Sequence, residues 1–169
     1  GRSARTGKGA GGLFRADYKV SVSDAPELAA MVGELLSEIM SRIGSKAFNF
    51  DLAATTSRLV DFLEREKYFA FIARTDDGRA AGFIALSESH ALYAEGAFGT
   101  IPELYVRPPY RSGAVGQRLV SEARAFGASR GWTRLEVTTP PLPQFDRALA
   151  FYEREGFSIS GGRKLKASL

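Results

Sequence analysis

Two spacings of apolar residues alternate along this chain, and their order predicts the arrangement of its elements. Apolar residues three to four positions apart indicate amphipathic helices, whereas strict alternation indicates half-buried strands. The helical spacing predicts helices over residues 24–43, 51–67, 115–126 and 146–155. Alternation and short apolar runs predict strands over residues 18–22, 68–74, 80–87, 101–106, 132–138 and 157–159. This mixed order predicts one α/β (α+β) domain, in which a mixed sheet is covered by helices.

Caps and turns define several of these boundaries. Ser23 or Asp24 can cap the first helix, and Gly44 fits the left-handed position that commonly ends one. The apolar loop at 45–50 is either a packed connector, which the sequence favours, or an acceptor-binding loop. An Asp-Gly pair at 77–78 predicts a hairpin turn. We expect residues 90–100 to form an irregular, glycine-interrupted excursion, and residues 157–169 to form a closing hairpin around Gly161-Gly162.

The stretch from residue 101 to residue 119 combines a strand, a glycine-containing turn and a helix. Leu104 and Val106 follow the strand alternation, and two prolines then end it because proline lacks the N–H that a ladder requires. The first N–H groups of the following helix have no partner within it, and the helix dipole adds partial positive charge there. Gly116 lets the backbone approach a diphosphate. This stretch therefore predicts a phosphate-binding turn.

The same stretch resembles the pyrophosphate signature of the GNAT superfamily of acyl-CoA-dependent N-acetyltransferases. In that signature a strand ending in Val-x-Pro precedes Arg or Gln, two residues, Gly, one residue, and Gly or Ala. The matching residues are Val106, Pro108, Arg111 and Gly116, followed by the helix residue Leu119. The central glycine is replaced by Ala114, and a glycine stands one place earlier, at Gly113. A positive φ at Ala114 would cost about 1 kcal/mol.

A second part of the resemblance lies near the C-terminus, in RALAFYEREGF. The family carries Asn-x-x-Ala-x-x-Phe/Leu-Tyr there, followed by a Gly-Phe turn. The matching residues are Ala148, Phe151, Tyr152, Gly156 and Phe157. The Asn that contacts the pantetheine arm in the family is Phe145 here, so Gln144 or Asp146 would have to replace it. With both motifs in place, the resemblance extends from about residue 18 to the end of the chain.

The resemblance implies a mostly antiparallel, twisted sheet with helices on both faces. It also implies acetyl-CoA (coenzyme A) as cosubstrate and direct acetyl transfer to a primary amine. The implied cosubstrate-binding residues are Leu104, Tyr105, Val106, Arg111, Ser112, Gly113, Ala114, Val115, Gly116, Gln117 and Arg147, with Arg118 as a further phosphate candidate. Backbone amides around Val106 would serve the oxyanion, and Tyr152 would protonate the departing thiolate.

The reaction also needs a base, because an alkylammonium, with an ordinary pKa of about 10.4, must lose a proton before it attacks. Glu103 is the candidate, acting directly or through water, since many family members carry a working carboxylate at this position of the strand. The alternative is a solvent-facing strand glutamate. His90 and Tyr93 are weaker candidates for the base.

The charge pattern favours a cationic acceptor. Between Arg79 and Arg107 there is no Lys or Arg, whereas Glu88, Glu95 and Glu103 all lie in that interval. A region of this kind attracts a small amine, an aminoglycoside-like molecule or a peptide lysine. The departures at Ala114 and Phe145 leave an alternative open, a non-catalytic acyl-CoA-binding or regulatory module with the same fold.

Composition excludes several other classes. The 169 residues, 44% of them apolar, suffice for one compact domain. The absence of cysteine excludes disulfides and an acetyl-cysteine intermediate and suits the cytoplasm, while a single histidine gives no expectation of a metal site. No apolar run has the length of a membrane span. The sequence leaves the choice between monomer and homodimer open.

Residues 1–13 differ from the rest of the chain. They hold three of the four net positive charges and no acid, and we expect them to form a flexible tail, with the acetyltransferase-like domain at 14–169. Gly7, Gly9 and Gly12 match the dinucleotide pattern G-x-G-x-x-G but lack a preceding strand. Since the remaining charges nearly balance, we expect no nucleic-acid partner.

Overall fold

The computed structural model describes residues 18–140 and 143–169, so the predicted tail at 1–13 lies outside the described residues. The chain divides into two compact units, residues 1–138 and 139–169. The α-helices of the first unit are α1 (Ala25–Ile43), α2 (Leu52–Glu64) and α3 (Val115–Ser129). Its strands are β1 (Tyr18–Lys19), β2 (Phe69–Arg74), β3 (Ala80–Ala91), β4 (Gly96–Ile101), β5 (Leu104–Val106) and β6 (Leu135–Val137). The described part of the second unit contains α4 (Asp146–Arg154).

The predicted ends of α1 and the predicted starts of α2 and α3 are confirmed, whereas α2 ends at Glu64, before the predicted 67, and α3 continues past 126 to Ser129. Asp24 is the N-cap residue of α1, and Gly44 ends that helix with a left-handed φ of 69°. Asp51 caps α2 through its side chain, which accepts a hydrogen bond of 2.7 Å from the Ala54 N–H. In the connector between these helices, the Phe50 ring packs against Gly33 of α1, but Phe48 and Phe50 stay 40% and 39% exposed, so the packing predicted for this loop is limited to one contact.

The strands form one mixed, mostly antiparallel sheet, as predicted. Its order is β1-β2-β3-β4-β6, with β5 also paired to β3, and β4–β6 is the parallel pair. On one face, Leu28 and Met31 of α1 join Leu59 of α2 in a core cluster with sheet residues. On the other face, Phe126 of α3 packs on Phe69 with ring centroids 4.9 Å apart. Helices therefore cover both faces of the sheet.

The prediction of an irregular excursion at 90–100 is wrong. Instead, β3 continues to Ala91 and pairs with β4 from Ser87↔Thr100 to Ala91↔Gly96. A turn at 92–95 joins the two strands. Glycine does not break this ladder at Gly99; a Cβ there would lie 2.4 Å from the Trp132 ring. Gly99 is therefore needed because the Trp132 ring packs closely against it. In a sequence, a glycine used in this way looks like an interruption of the strand.

The prediction of a closing hairpin at 157–169 is also wrong. These residues contain neither helix nor strand. After the half-buried Phe157, their large apolar side chains are sparse and exposed, with Ile159 at 78% and Leu165 at 88% of full exposure. A strand needs a buried face and hydrogen-bonding partners, and this segment has no apolar alternation long enough to supply the first.

Candidate active site

The predicted central strand consists of two strands, β4 and β5, joined by a bulge. Thr100 lies opposite Ser87, and Leu104 lies opposite Ile84. Four steps along the central strand therefore match three steps along β3, which leaves one extra residue between β4 and β5. An extra residue on one side of a ladder bends that strand and disrupts its pairing.

The bulge leaves β5 with a free edge. The parallel pairing of β4 with β6 ends at Ile101↔Val137, and β5 pairs with β3 alone. Bonds to β3 use the Glu103 carbonyl and the Arg107 N–H. Because backbone groups in an antiparallel ladder alternate between the two sides, those of Leu104 and Val106 point away from β3. No described strand covers this edge, which presents the N–H and C=O of Leu104 and the N–H of Val106, while the Val106 carbonyl already accepts a hydrogen bond from a side chain.

The predicted phosphate turn follows β5 directly. A short 3-10 helix at Pro108–Tyr110 precedes the turn at 111–114, and Gly116 is the second residue of α3. Ala114 has φ −90° and ψ 25°, so alanine is unstrained there. Its departure from the family signature therefore carries no backbone penalty. The Ser112, Gly113 and Ala114 positions are exposed, so the turn is accessible.

Arg111 is held by contacts that sequence reasoning missed. Its Nε donates to the Val106 carbonyl at 2.8 Å, and its two terminal nitrogens donate to the two carboxylate oxygens of Glu38, each at 2.7 Å. The guanidinium carbon lies 5.7 Å from the centroid of the Tyr105 ring. Arg111 holds the pKa of Glu38 below its ordinary value. The spacing of Glu34 and Glu38 on α1, four residues apart like Arg107 and Arg111, was a signal for these pairs.

Glu103 lies at the bulge, immediately before β5, and is not a solvent-facing strand residue. Its Oε2 accepts a hydrogen bond of 2.7 Å from the Tyr68 hydroxyl, at the end of β2. Burial raises the pKa of the Glu103 carboxyl above its usual value, and the Tyr68 hydrogen bond acts in the opposite direction. Burial and the neighbouring carboxylate raise the pKa of Tyr68 as well, so this hydroxyl stays protonated. Sequence reasoning did not identify Tyr68.

Glu88 belongs to a structural cluster. Its Oε1 accepts hydrogen bonds from Trp132 Nε1 at 2.6 Å and from Arg130 Nε at 3.1 Å, and His90 lies 3.7 Å from its Oε2. Arg130 lowers the pKa of Glu88. Arg134 lies over the ring of Tyr93, at the exposed tip of the β3–β4 hairpin. The stretch between Arg79 and Arg107, which contains no Lys or Arg, is thus contacted in the fold by Arg130 and Arg134.

In the second unit, Tyr152 lies on α4 and is buried. Its ring contacts those of Phe151 and Phe157, with centroids 5.3 and 5.4 Å away. Burial raises the pKa of the Tyr152 hydroxyl. Phe145, at the position of the family's Asn, is buried at the start of α4, whereas Arg147 is exposed. The predicted helix end is confirmed, with a φ of 92° at Gly156.

Comparison with known proteins identifies the family. The Acetyltransferase (GNAT) family profile matches residues 34–157, which is most of the chain. The chain belongs to the GNAT acetyltransferase family. It is therefore an acyltransferase, and its cosubstrate is acetyl-CoA. A search of curated protein sequences finds no significant match.

Solved structures of other acetyltransferases share the GNAT fold. An aminoglycoside acetyltransferase from an uncultured soil metagenomic sample is 16% identical, with 95% of this chain and 99% of that chain covered and a TM-score of 0.74. Aminoglycoside N-acetyltransferase AAC(6')-Iy in complex with CoA is 17% identical, with coverages of 90% and 93% and a TM-score of 0.74. A ribosomal-protein-alanine N-acetyltransferase from Brucella melitensis biovar Abortus 2308 is 17% identical, with coverages of 90% and 99% and a TM-score of 0.68. At these identities the similarity establishes the fold alone.

The donor set of this GNAT protein fits acetyl-CoA. The free edge of β5 matches an extended chain that carries amide groups, and the first N–H groups of α3 suit a diphosphate. Within residues 18–140 and 143–169, no helix is long and apolar enough to cross a membrane. The same residues contain no cluster of three or more His, Asp or Glu side chains that could hold a metal ion.

Proposed function

We propose that this enzyme transfers an acetyl group from acetyl-CoA directly to a primary amine of a cationic acceptor. The observation that carries the proposal is the half-buried Glu103, held by Tyr68 and placed beside the free edge of β5. A carboxylate in that position can both attract an ammonium group and accept its proton. Candidate acceptors are a small amine, an aminoglycoside-like molecule and a peptide amine.

Cosubstrate binding is assigned to backbone groups. Leu104 and Val106 offer an extended edge for the pantetheine arm, with Tyr105 between them facing α1. The amides from Ser112 to Gln117 surround the N-terminus of α3, where the dipole favours negative charge. Arg147 is proposed as a contact for the adenine or ribose phosphate. When bound, acetyl-CoA supplies a thioester that is activated for attack by an amine.

Glu103 is proposed as the base. The Tyr68 hydroxyl engages Oε2 and fixes the carboxylate plane, which leaves Oε1 to take the proton from the ammonium directly or through water. Because burial raises its pKa, Glu103 is a stronger base than an exposed glutamate. The chain has no cysteine, so acetyl transfer proceeds without an acetyl-cysteine intermediate.

Tyr152 is proposed as the acid, on the strength of its match to the family motif. Its raised pKa keeps the hydroxyl protonated at neutral pH, as an acid requires. Tyr152→Phe removes only this hydroxyl, so we expect unchanged CoA affinity and a 10²–10⁴-fold lower rate of transfer, about 3–5 kcal/mol. Single-turnover measurements are needed because slow product release could hide the loss. An undiminished rate would refute the acid assignment.

The proposed function is tested by thiol release on a panel of acceptors. The panel holds a polyamine, an aminoglycoside, a lysine peptide, a peptide with a free N-terminal alanine and a neutral alcohol as control. We expect saturable CoA release with at least one cationic primary amine and none with the alcohol. If CoA binds but no amine on the panel increases its release above hydrolysis, the proposed acceptor class is wrong.

The cosubstrate site has its own test. Gly116→Asp places a carboxylate at the second residue of α3. We expect CoA affinity, measured by isothermal titration calorimetry, to fall at least tenfold because like charges repel there. Acetyl-CoA should raise the melting temperature of the unmodified enzyme and much less that of the variant. Equal affinity in the two proteins would show that the phosphates bind elsewhere.

A further inference from the structure

The Arg111 side chain connects three parts of the first unit. It begins in the turn before α3, donates to the carbonyl of Val106 in β5, and makes a two-pronged ion pair with Glu38 on α1. Both oxygens of the Glu38 carboxylate are engaged, and its side chain is only 26% exposed. Planar, two-pronged pairs of this kind fix orientation as well as distance.

A second pair lies one helical turn away on α1. Arg107 donates through Nε and one terminal nitrogen to the two oxygens of Glu34, at 3.1 and 2.8 Å. Its other terminal nitrogen donates to the Ala80 carbonyl at 2.9 Å. Arg107 and Arg111 flank the 3-10 helix at Pro108–Tyr110. Both ends of this segment are therefore tied to the same face of α1.

These contacts weigh against a phosphate as the partner of Arg111. To turn toward a diphosphate, the guanidinium would have to leave Val106, the Tyr105 ring and both oxygens of Glu38. The half-buried Glu38 carboxylate would then exchange a two-pronged ion pair for the 3.1 Å hydrogen bond from Arg42, which is unfavourable. The backbone N–H groups that start α3 need no such rearrangement to meet an anion.

We propose that the Glu38–Arg111 pair is a strut that holds the phosphate turn in position, so that Arg111 is a positioning residue and not a phosphate ligand. This inference rests on the proposed cosubstrate site. It assigns a role in CoA binding to a negatively charged residue on a different element, 73 positions away in sequence.

The two roles predict opposite effects of Glu38→Gln on CoA binding. If Arg111 were a phosphate ligand, removing the competing carboxylate would free it and remove a negative charge, and CoA would bind more tightly. If the pair is a strut, the turn loses its anchor and CoA binds about ten- to a hundredfold more weakly, the range expected for a charged hydrogen bond. Isothermal titration calorimetry with CoA, without any acceptor, measures the difference.

Two further variants complete the experiment. Arg111→Lys keeps the positive charge but cannot form the two-pronged pair, so the strut predicts a loss similar to that of Glu38→Gln, and a phosphate ligand predicts nearly full affinity. Glu34→Gln is the matched control: it breaks the neighbouring pair while Arg107 keeps its bond to Ala80. We expect it to lower the melting temperature with less than about a threefold effect on affinity, since the pair it breaks does not touch the turn.

The outcomes separate this inference from the proposed site. CoA binding of Glu38→Gln equal to or tighter than that of the unmodified enzyme, or full affinity of Arg111→Lys, overturns the strut and leaves the site intact. Failure of the unmodified enzyme to bind CoA overturns both. If Glu38→Gln unfolds, Arg111→Lys still decides between the two roles.

Discussion

The two halves of the central strand, β4 and β5, differ in how many neighbours they have. β4 is paired on both sides, with β3 and with β6, and its Gly99 packs under Trp132. Among the described strands, β5 pairs with β3 alone, and the proposed base lies immediately before it. The two segments are separated by a bulge of one residue. In the proposed site, β4 maintains the fold and β5 presents groups to substrates.

The largest effect should come from the base, on the β5 side. Glu103→Gln preserves shape and can still accept the Tyr68 hydrogen bond, so we expect a native melting temperature. Turnover should fall 10²–10⁴-fold, about 3–5 kcal/mol. A base works only when deprotonated, and burial raises the Glu103 pKa. In the unmodified enzyme, the apparent pKa of the acid limb of kcat/KM should therefore lie above the usual pKa of an exposed glutamate.

The same variant separates base from binding site. If Glu103 is the base, the loss is greatest at low pH and recovers in part as pH rises, since more of the amine is then already deprotonated. If Glu103 only attracts a cation, KM rises at all pH values while kcat changes little. A higher KM with little change in kcat would contradict the assignment of Glu103 as the base.

The next largest effect should fall on the β4 side and concern stability. At Gly99 an added Cβ would lie 2.4 Å from the Trp132 ring, so Gly99→Ala forces the core to shift. We expect the free energy of unfolding to fall by about 1–3 kcal/mol, measured by chemical denaturation. Gly161→Ala is the control, because no atom lies within 4 Å of its added Cβ. Equal stability of Gly99→Ala and the unmodified protein would argue against a structural role for β4.

A smaller effect is expected at the residue that holds the base. Tyr68→Phe removes the hydrogen bond that lowers the Glu103 pKa, so the acid limb of kcat/KM should move to higher pH. Loss of the bond should also reduce stability by about 1 kcal/mol. Tyr93→Phe, at the exposed hairpin tip, should change neither quantity. An unshifted pH profile for Tyr68→Phe would show that the hydroxyl does not tune the carboxylate.

The smallest effect is expected in the turn after β5. Ala114 has a negative φ, so Ala114→Gly relieves no strain although it restores the glycine of the family signature. We expect CoA affinity within about twofold of the unmodified enzyme, and stability changed by less than about 0.5 kcal/mol, because Ala114 is the N-cap residue of α3, where the preference for glycine offsets its greater flexibility in the unfolded chain. Clearly tighter CoA binding would mean that alanine distorts the turn.

Local signals in the sequence predicted the features that depend on neighbouring residues. Asp24 and Gly44 mark the ends of α1, and the turn before α3 is recognisable from its prolines and glycines, because capping and turn chemistry act over a few residues. Glu103 is a candidate through the family resemblance and not through a local signal, and it lies immediately before β5, with its carboxylate held by Tyr68.

Features that depend on distant residues could not be predicted in this way. Arg111 matches the family's phosphate signature, which contains no sign of its ion pair with Glu38, 73 residues earlier. The charge pattern counts Glu88 only as a negative charge, because Arg130, its partner, follows 42 residues later. Gly99 was taken for a strand breaker because nothing near it in sequence indicates that Trp132 needs the space. Each of these features is a contact between elements, which periodicity does not encode.

The bulge also changes which residues of the central strand share a face of the sheet. Upstream, even-numbered Thr100 shares a face with Ser87, whereas downstream odd-numbered Tyr105 shares a face with Phe83. The one extra residue therefore shifts the alternation of side chains, so that odd-numbered residues occupy the face downstream of the bulge that even-numbered residues occupy upstream of it. A single deletion here would remove the bulge and leave a regular ladder, in which Tyr105 still lies opposite Phe83 but the bend that frees the edge of β5 is lost. The extra residue thus serves the bend and not the facing of Tyr105.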